Sequence, residues 1–145
     1  MFEISKKFKF DAAHMIKDHF GKCKNLHGHT YTLELFISSK QIDQDTGVLL
    51  DYYNVGEIVK PIIEHFDHSF IYNAKDPIQC LIAKTCTENN LKTIPLEFQT
   101  TAEMLARYFT IEFYKSLSST NIDLTNVKIR VVVKETENSS AMYEI

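Results

Sequence analysis

HGHTYTLELFIS, His27 to Ser38, is the stretch that decides the fold. His27, His29, Tyr31, Leu33, Leu35 and Ile37 fall on one parity, and Gly28, Thr30, Thr32 and Glu34 fall on the other. Alternate side chains of a strand point to opposite faces, so this segment is a strand with one face in the core. Both histidines lie on its apolar side. The N-terminal segment has the same grammar. Phe2, Ile4, Phe8, Phe10, Ala12 and His14 share one parity, while Glu3, Ser5, Lys7 and Lys9 share the other. A second half-buried strand therefore carries His14 on its apolar face.

Working outward, Asp45-Thr46-Gly47 reads as a turn. Asp51 is placed to cap a helix carrying Val55, Val59, Ile62, Ile63 and Phe66, which Pro61 should kink or shorten. Residues 72–99, with Pro77 and Pro95, read as a long excursion with local helix. Thr100-Thr101-Ala102-Glu103 resembles a capping box, with Thr100 as the cap, and opens a helix striped with Met104, Leu105, Tyr108, Phe109 and Ile111. A turn at Asp123 to Asn126 leads into a strand in which Val127, Ile129, Val131, Val133 and Glu135 share a parity. Ala141 to Ile145 closes a last hairpin. The order strand, strand, helix, helix, strand, strand points to an α+β fold with helices on one face of an antiparallel sheet.

The 145 residues fit a single domain, 1–145, with no repeat, linker or low-complexity tract. A formal net charge of -3 without a basic block gives no nucleic-acid surface. No apolar run reaches the roughly 20 residues of a membrane helix, and MFEISKKFKF lacks the apolar core of a signal peptide. Three cysteines are too few for a disulfide scaffold, so a cytoplasmic location is expected.

His27 and His29 project from one face of a strand and can converge on one ion. If the first two strands pair as a hairpin, His14 joins them. Three imidazoles fit a zinc site with an open fourth position, the pattern of catalytic rather than structural zinc. Cys23 lies four residues before His27, between Lys22 and Lys24. Neighbouring cations favour its thiolate, and spacing alone leaves a fourth ligand and a catalytic base equally open. Cys80 and Cys86 have no histidine at ligand spacing and read as incidental. Asp67 beside His68 can fix the imidazole tautomer or relay a proton. Glu135 ends the apolar face of a Val/Ile strand, where a carboxylate needs a partner. A ligand offering paired N–H donors would supply one.

FDAAH at 10–14, CKNLHGH at 23–29, TGVLLDY at 46–52, FDHSFIYN at 66–73, TTAE at 100–103 and KETENSSAMY at 134–143 together resemble the 6-pyruvoyl-tetrahydropterin synthase and 6-carboxytetrahydropterin synthase superfamily, in family order. The resemblance implies the T-fold, a four-stranded antiparallel sheet backed by two helices. It also implies protomers joined through their sheets into barrels, as homotrimers or homohexamers with active sites at subunit interfaces. By position, His14, His27 and His29 match the zinc ligands, Cys23 the catalytic thiol and Asp67–His68 the proton-relay pair. Glu135 matches the carboxylate that anchors the pterin, and Thr101 falls in a block bordering the pterin pocket.

The three-residue gap between Cys23 and His27 resembles the bacterial carboxy-forming enzymes, since the animal pyruvoyl enzymes carry a longer insert there. Two features depart from the pattern. The segment between His68 and Thr100 is longer than in compact bacterial relatives, and Thr100 replaces the usual proline. The implied reaction converts 7,8-dihydroneopterin triphosphate to 6-carboxytetrahydropterin, releasing triphosphate and acetaldehyde, a step toward queuosine. Pyruvoyl-forming elimination, aldolase-like cleavage of dihydroneopterin and a zinc-stapled binding module are the competing expectations. The sequence has no dinucleotide fingerprint such as G-x-G-x-x-G.

Overall fold

Strand alternation builds the centre of the sheet as expected. In the computed structural model, which describes residues 1–145, β1 (Phe2–His14) and β2 (His27–Ser39) pair antiparallel along their whole length. The register runs from Phe2 opposite Ser39 to His14 opposite His27, so both histidine-bearing ends coincide. Ala13 pairs with Gly28, where a Cβ would press to 3.3 Å from the carbonyl oxygen of Ala12, so glycine allows the close approach. The loop between the strands holds a short 3-10 turn at Lys22–Lys24 and is tied back by Ile16 N–H donating to the Cys23 carbonyl at 2.9 Å.

Helix α1 (Tyr52–Phe66) starts where Asp51 accepts the Asn54 N–H at 3.0 Å, a cap whose loss typically costs about 1 kcal/mol. Val55, Val59, Ile63 and Phe66 form its buried stripe. Pro61 does not stop it: the helix continues five residues further to Phe66. Pro61 and Glu57 are both exposed, so the carbonyl that loses its partner is left to water.

The segment 72–99 is where the sequence reading is corrected. It contributes the end of β3 (Ser69–Asn73), α2 (Pro77–Glu88) and β4 (Thr93–Leu96). β3 runs parallel to β1, and β4 parallel to β3. The protein therefore has a mixed six-stranded sheet, ordered β4-β3-β1-β2-β5-β6, and three helices rather than four antiparallel strands and two helices. Strands of five and four residues are too short to show alternation, and α2 buries only Gln79 and Ala83. A start signal was present, because Asp76 caps α2 and Pro77 opens it.

Helix α3 (Ala102–Ser118) is capped by Thr101, whose hydroxyl oxygen accepts the Met104 N–H at 3.3 Å; the expected cap, Thr100, is one residue out. Its buried face, Leu105, Ala106, Phe109, Phe113 and Leu117, packs against β5 (Val127–Thr136) and β6 (Ser139–Glu144). At the far end of β5, Lys134 pairs with Ser140 and Thr136 with Ser139, leaving Glu135 unpaired in a bulge. Bulges re-aim a side chain, and this one carries a carboxylate. The core unites Phe10, stacked on Tyr31 at 4.9 Å between ring centroids, with Phe66 and Phe109.

Candidate metal centre and active site

The paired ends of β1 and β2 bring three imidazoles together. One ring nitrogen each from His14, His27 and His29 lies within 4.8 Å of the other two. Ring centroids are 4.6 Å apart for His14 and His27, 5.1 Å for His14 and His29, and 4.9 Å for His27 and His29.

Hydrogen bonds outside the cluster set two of the three tautomers. His14 Nδ1 stands 2.8 Å from the Thr100 carbonyl, and His27 Nδ1 stands 2.7 Å from the Asn25 carbonyl. A carbonyl only accepts, so each Nδ1 carries the proton and, with both rings neutral, each Nε2 presents a lone pair. Those two Nε2 atoms face each other at 3.1 Å, and the buried His29 Nε2 has no hydrogen-bond partner. Converging lone pairs with carbonyl-oriented rings are what a bound divalent cation needs. The residues present thus fit zinc: three imidazoles, with room for a fourth ligand from substrate or water.

Electrostatics favour the neutral forms of His14 and His29. Burial lowers the His14 pKa to about 4, against the opposing pull of the Thr100 carbonyl, and His27 and His29 lower it further. Burial and His27 also lower that of His29. In metal-free protein His14 therefore resists protonation between its unfolded value of 6.5 and about 4, while the unfolded chain binds the proton. Stability that is present above pH 6.5 should fall as pH drops toward 4. Urea unfolding of chelator-treated protein across this window should show that slope, reduced in His14→Asn. Equal slopes in both proteins would refute the assignment.

Glu135 Oε1 lies 3.8 Å from His14 Nε2 and has no hydrogen-bond partner, and burial raises the pKa of its carboxyl. Tyr31, fully buried with an unpartnered hydroxyl, stands edge-on to His14 and His29. Burial, Glu135 and Cys23 all push its pKa up, so the phenol stays neutral. Cys23 is half-buried in the loop joining β1 to β2, outside the tight group of three imidazoles.

Asp67 and His68 form a separate cluster with Asp11. Asp67 Oδ1 accepts the Asp11 N–H at 2.9 Å, while its Oδ2 lies 2.8 Å from His68 Nδ1. The Asp11 N–H and the bond to His68 hold the Asp67 carboxyl below the usual range. The His68 side chain is 76% exposed, and His29 and His68 border the same open cavity of about 630 Å³, with Phe70 and Gly28. A second cavity of about 670 Å³, with no apolar lining, runs from His29 to Glu135 and Lys134. Thr101 stands at the head of α3 beside Thr100.

Sequence reasoning missed the carbonyls of Thr100 and Asn25, the Tyr31 hydroxyl and the role of Asp11 in seating Asp67. Two of these left a signal: Asp11, an acidic residue on the polar parity of the His14 strand, and Tyr31, on the same parity as His27 and His29.

A sheet backed by helices, with three imidazoles at the coincident ends of its two longest strands, defines an α+β protein with a candidate mononuclear metal centre. The chain matches the model of the 6-pyruvoyl tetrahydropterin synthase family over residues 3–145 and belongs to that family. It is 41% identical over 111 residues to the 6-carboxy-5,6,7,8-tetrahydropterin synthase of Haemophilus influenzae, covering 74% of this chain and 79% of that one. To the enzyme of the same name from Aquifex aeolicus it is 34% identical over 159 aligned positions, covering 98% and 97%. Among solved structures, the 6-pyruvoyltetrahydropterin synthase of Plasmodium vivax, in a variant altered at a catalytic residue, superposes with a TM-score of 0.77 at 18% identity, covering 99% of this chain and 97% of that one. That likeness speaks for the fold. No helix is long and apolar enough to cross a membrane.

Proposed function

We propose that this chain is a 6-carboxy-5,6,7,8-tetrahydropterin synthase, a single zinc-dependent lyase domain. Its substrate on this reading is 7,8-dihydroneopterin triphosphate and its products are 6-carboxytetrahydropterin, acetaldehyde and triphosphate. The observation that carries the reading is the convergence of three imidazoles, two of them oriented by carbonyls, beside the half-buried Glu135, whose Oε1 has no partner. The two relatives that bear this enzyme's name support the carboxy-forming branch.

His14, His27 and His29 would hold zinc, which when bound supplies Lewis-acid polarisation of the substrate's side-chain hydroxyls. Cys23, as thiolate between Lys22 and Lys24, takes a proton from the carbon joining side chain to ring. Asp67 holds His68 by the contact at Nδ1, leaving Nε2 to deliver or remove a proton on the opposite side. Glu135 pairs with the N–H donors of the pterin, and Thr101 borders that pocket. A homotrimer or homohexamer built through the sheets, with the site at the interface between protomers, is the assembly this reading implies. A cytoplasmic enzyme serving queuosine synthesis is the setting this reading implies.

Incubation of zinc-loaded protein with 7,8-dihydroneopterin triphosphate tests it. The expected products are 6-carboxytetrahydropterin and acetaldehyde. A product that retains the three-carbon side chain would instead make this the pyruvoyl-forming enzyme.

A further inference from the structure

Lys92 lies in the segment between His68 and Thr100, just before β4. Its backbone carbonyl accepts the Phe70 N–H at 3.0 Å, which seats it against β3. Its ammonium crosses the C-terminal end of α1 and donates to the Glu64 carbonyl at 2.8 Å and to the Asp67 carbonyl at 2.7 Å. The helix leaves both carbonyls without a partner: the N–H of His68, four residues after Glu64, donates instead to the Asp11 carbonyl at 2.7 Å. A cation at this end also complements the helix dipole.

The peptide held in this way is the one that joins Asp67 to His68. His68 has φ 55, a left-handed backbone that costs a residue with a Cβ about 1 kcal/mol or more. Such a conformation persists where its surroundings fix it from several directions. On one side Asp11 engages both the Asp67 carboxylate and the His68 N–H. On the other side the Asp67 carbonyl is held by Lys92. We propose that Lys92 is a positioning residue for the Asp67–His68 pair, fixing the turn that aims the His68 imidazole, and that the β3–α2–β4 segment serves the active site by delivering this ammonium. The inference rests on the reading of Asp67–His68 as the proton-transfer pair.

The test compares Lys92→Met, Lys92→Arg and His68→Ala in full-length, zinc-loaded protein with 7,8-dihydroneopterin triphosphate. His68→Ala should be nearly inactive. Lys92→Met should lower kcat about tenfold or more with KM within about twofold, because misaiming a catalytic group removes transition-state rather than ground-state contacts. Lys92→Arg, which keeps two N–H donors for the two carbonyls, should recover most of kcat. The His68 amide resonance should shift in the Met variant and return in the Arg variant. If His68→Ala is inactive while Lys92→Met keeps its kcat and loses only melting temperature, the ammonium merely caps α1 and the proposal is overturned. Full turnover in His68→Ala would instead sink the proton-transfer reading itself, and the proposal with it.

Discussion

His29→Ala should leave a folded protein that no longer retains zinc and no longer turns over. His29 is the informative ligand to remove. Its buried Nε2 has no hydrogen-bond partner, whereas His14 also ties β1 to the start of α3 through Thr100. Replacing His14 would mix a metal effect with a packing effect. Two imidazoles remain in His29→Ala, and an even share of typical site energies makes the third worth roughly 3 kcal/mol, more than about a hundredfold in affinity. Zinc measured after dialysis against a weak chelator should drop to background while the circular dichroism spectrum is kept. A variant that still holds one zinc per chain would place the metal elsewhere.

Cys23→Ala should behave in the opposite way, keeping zinc and fold while turnover falls by about 10² to 10⁴, the range of a lost general base. The geometry supports this separation. The tight ligand group consists of the three imidazoles, and the Cys23 loop is anchored independently by its carbonyl bond to Ile16. Lys22 and Lys24 flank Cys23 in the chain. Single-turnover rates with zinc quantified in the same sample are the measurement. Loss of zinc together with activity would make Cys23 a ligand and refute the proton-abstraction role.

What the sequence made legible follows from the length of its elements. β1 and β2 are thirteen residues each and alternate over most of that length, so parity put His14 on the same face as His27 and His29 once the strands pair as a hairpin. The β3–α2–β4 unit was not legible, because α2 exposes Ile78 and Leu81 while burying Gln79, which inverts the usual pattern. Gln79 is buried because its side-chain oxygen accepts the Asn73 N–H at 2.9 Å and its amide meets Asp76, a local network that hydrophobicity does not report. The cap of α3 was misplaced by one residue for a related reason. Thr100 turns inward to receive His14, and the neighbouring threonine takes over the helix end. Glu135 was picked out by parity, but the bulge that leaves it unpaired depends on how β6 meets β5. The grip of Lys92 on Asp67 spans 25 residues and has no sequence signature at all.

The bond from His14 to Thr100 joins residues 86 apart in the chain. The β1–β2 hairpin is local, and the His27 ring is oriented by the nearby Asn25 carbonyl, but the His14 ring is oriented by a contact of high sequence separation. On the proposed zinc reading, tight binding needs this bond as well as the three histidines, and a chain cut before Thr100 should hold the ion more loosely.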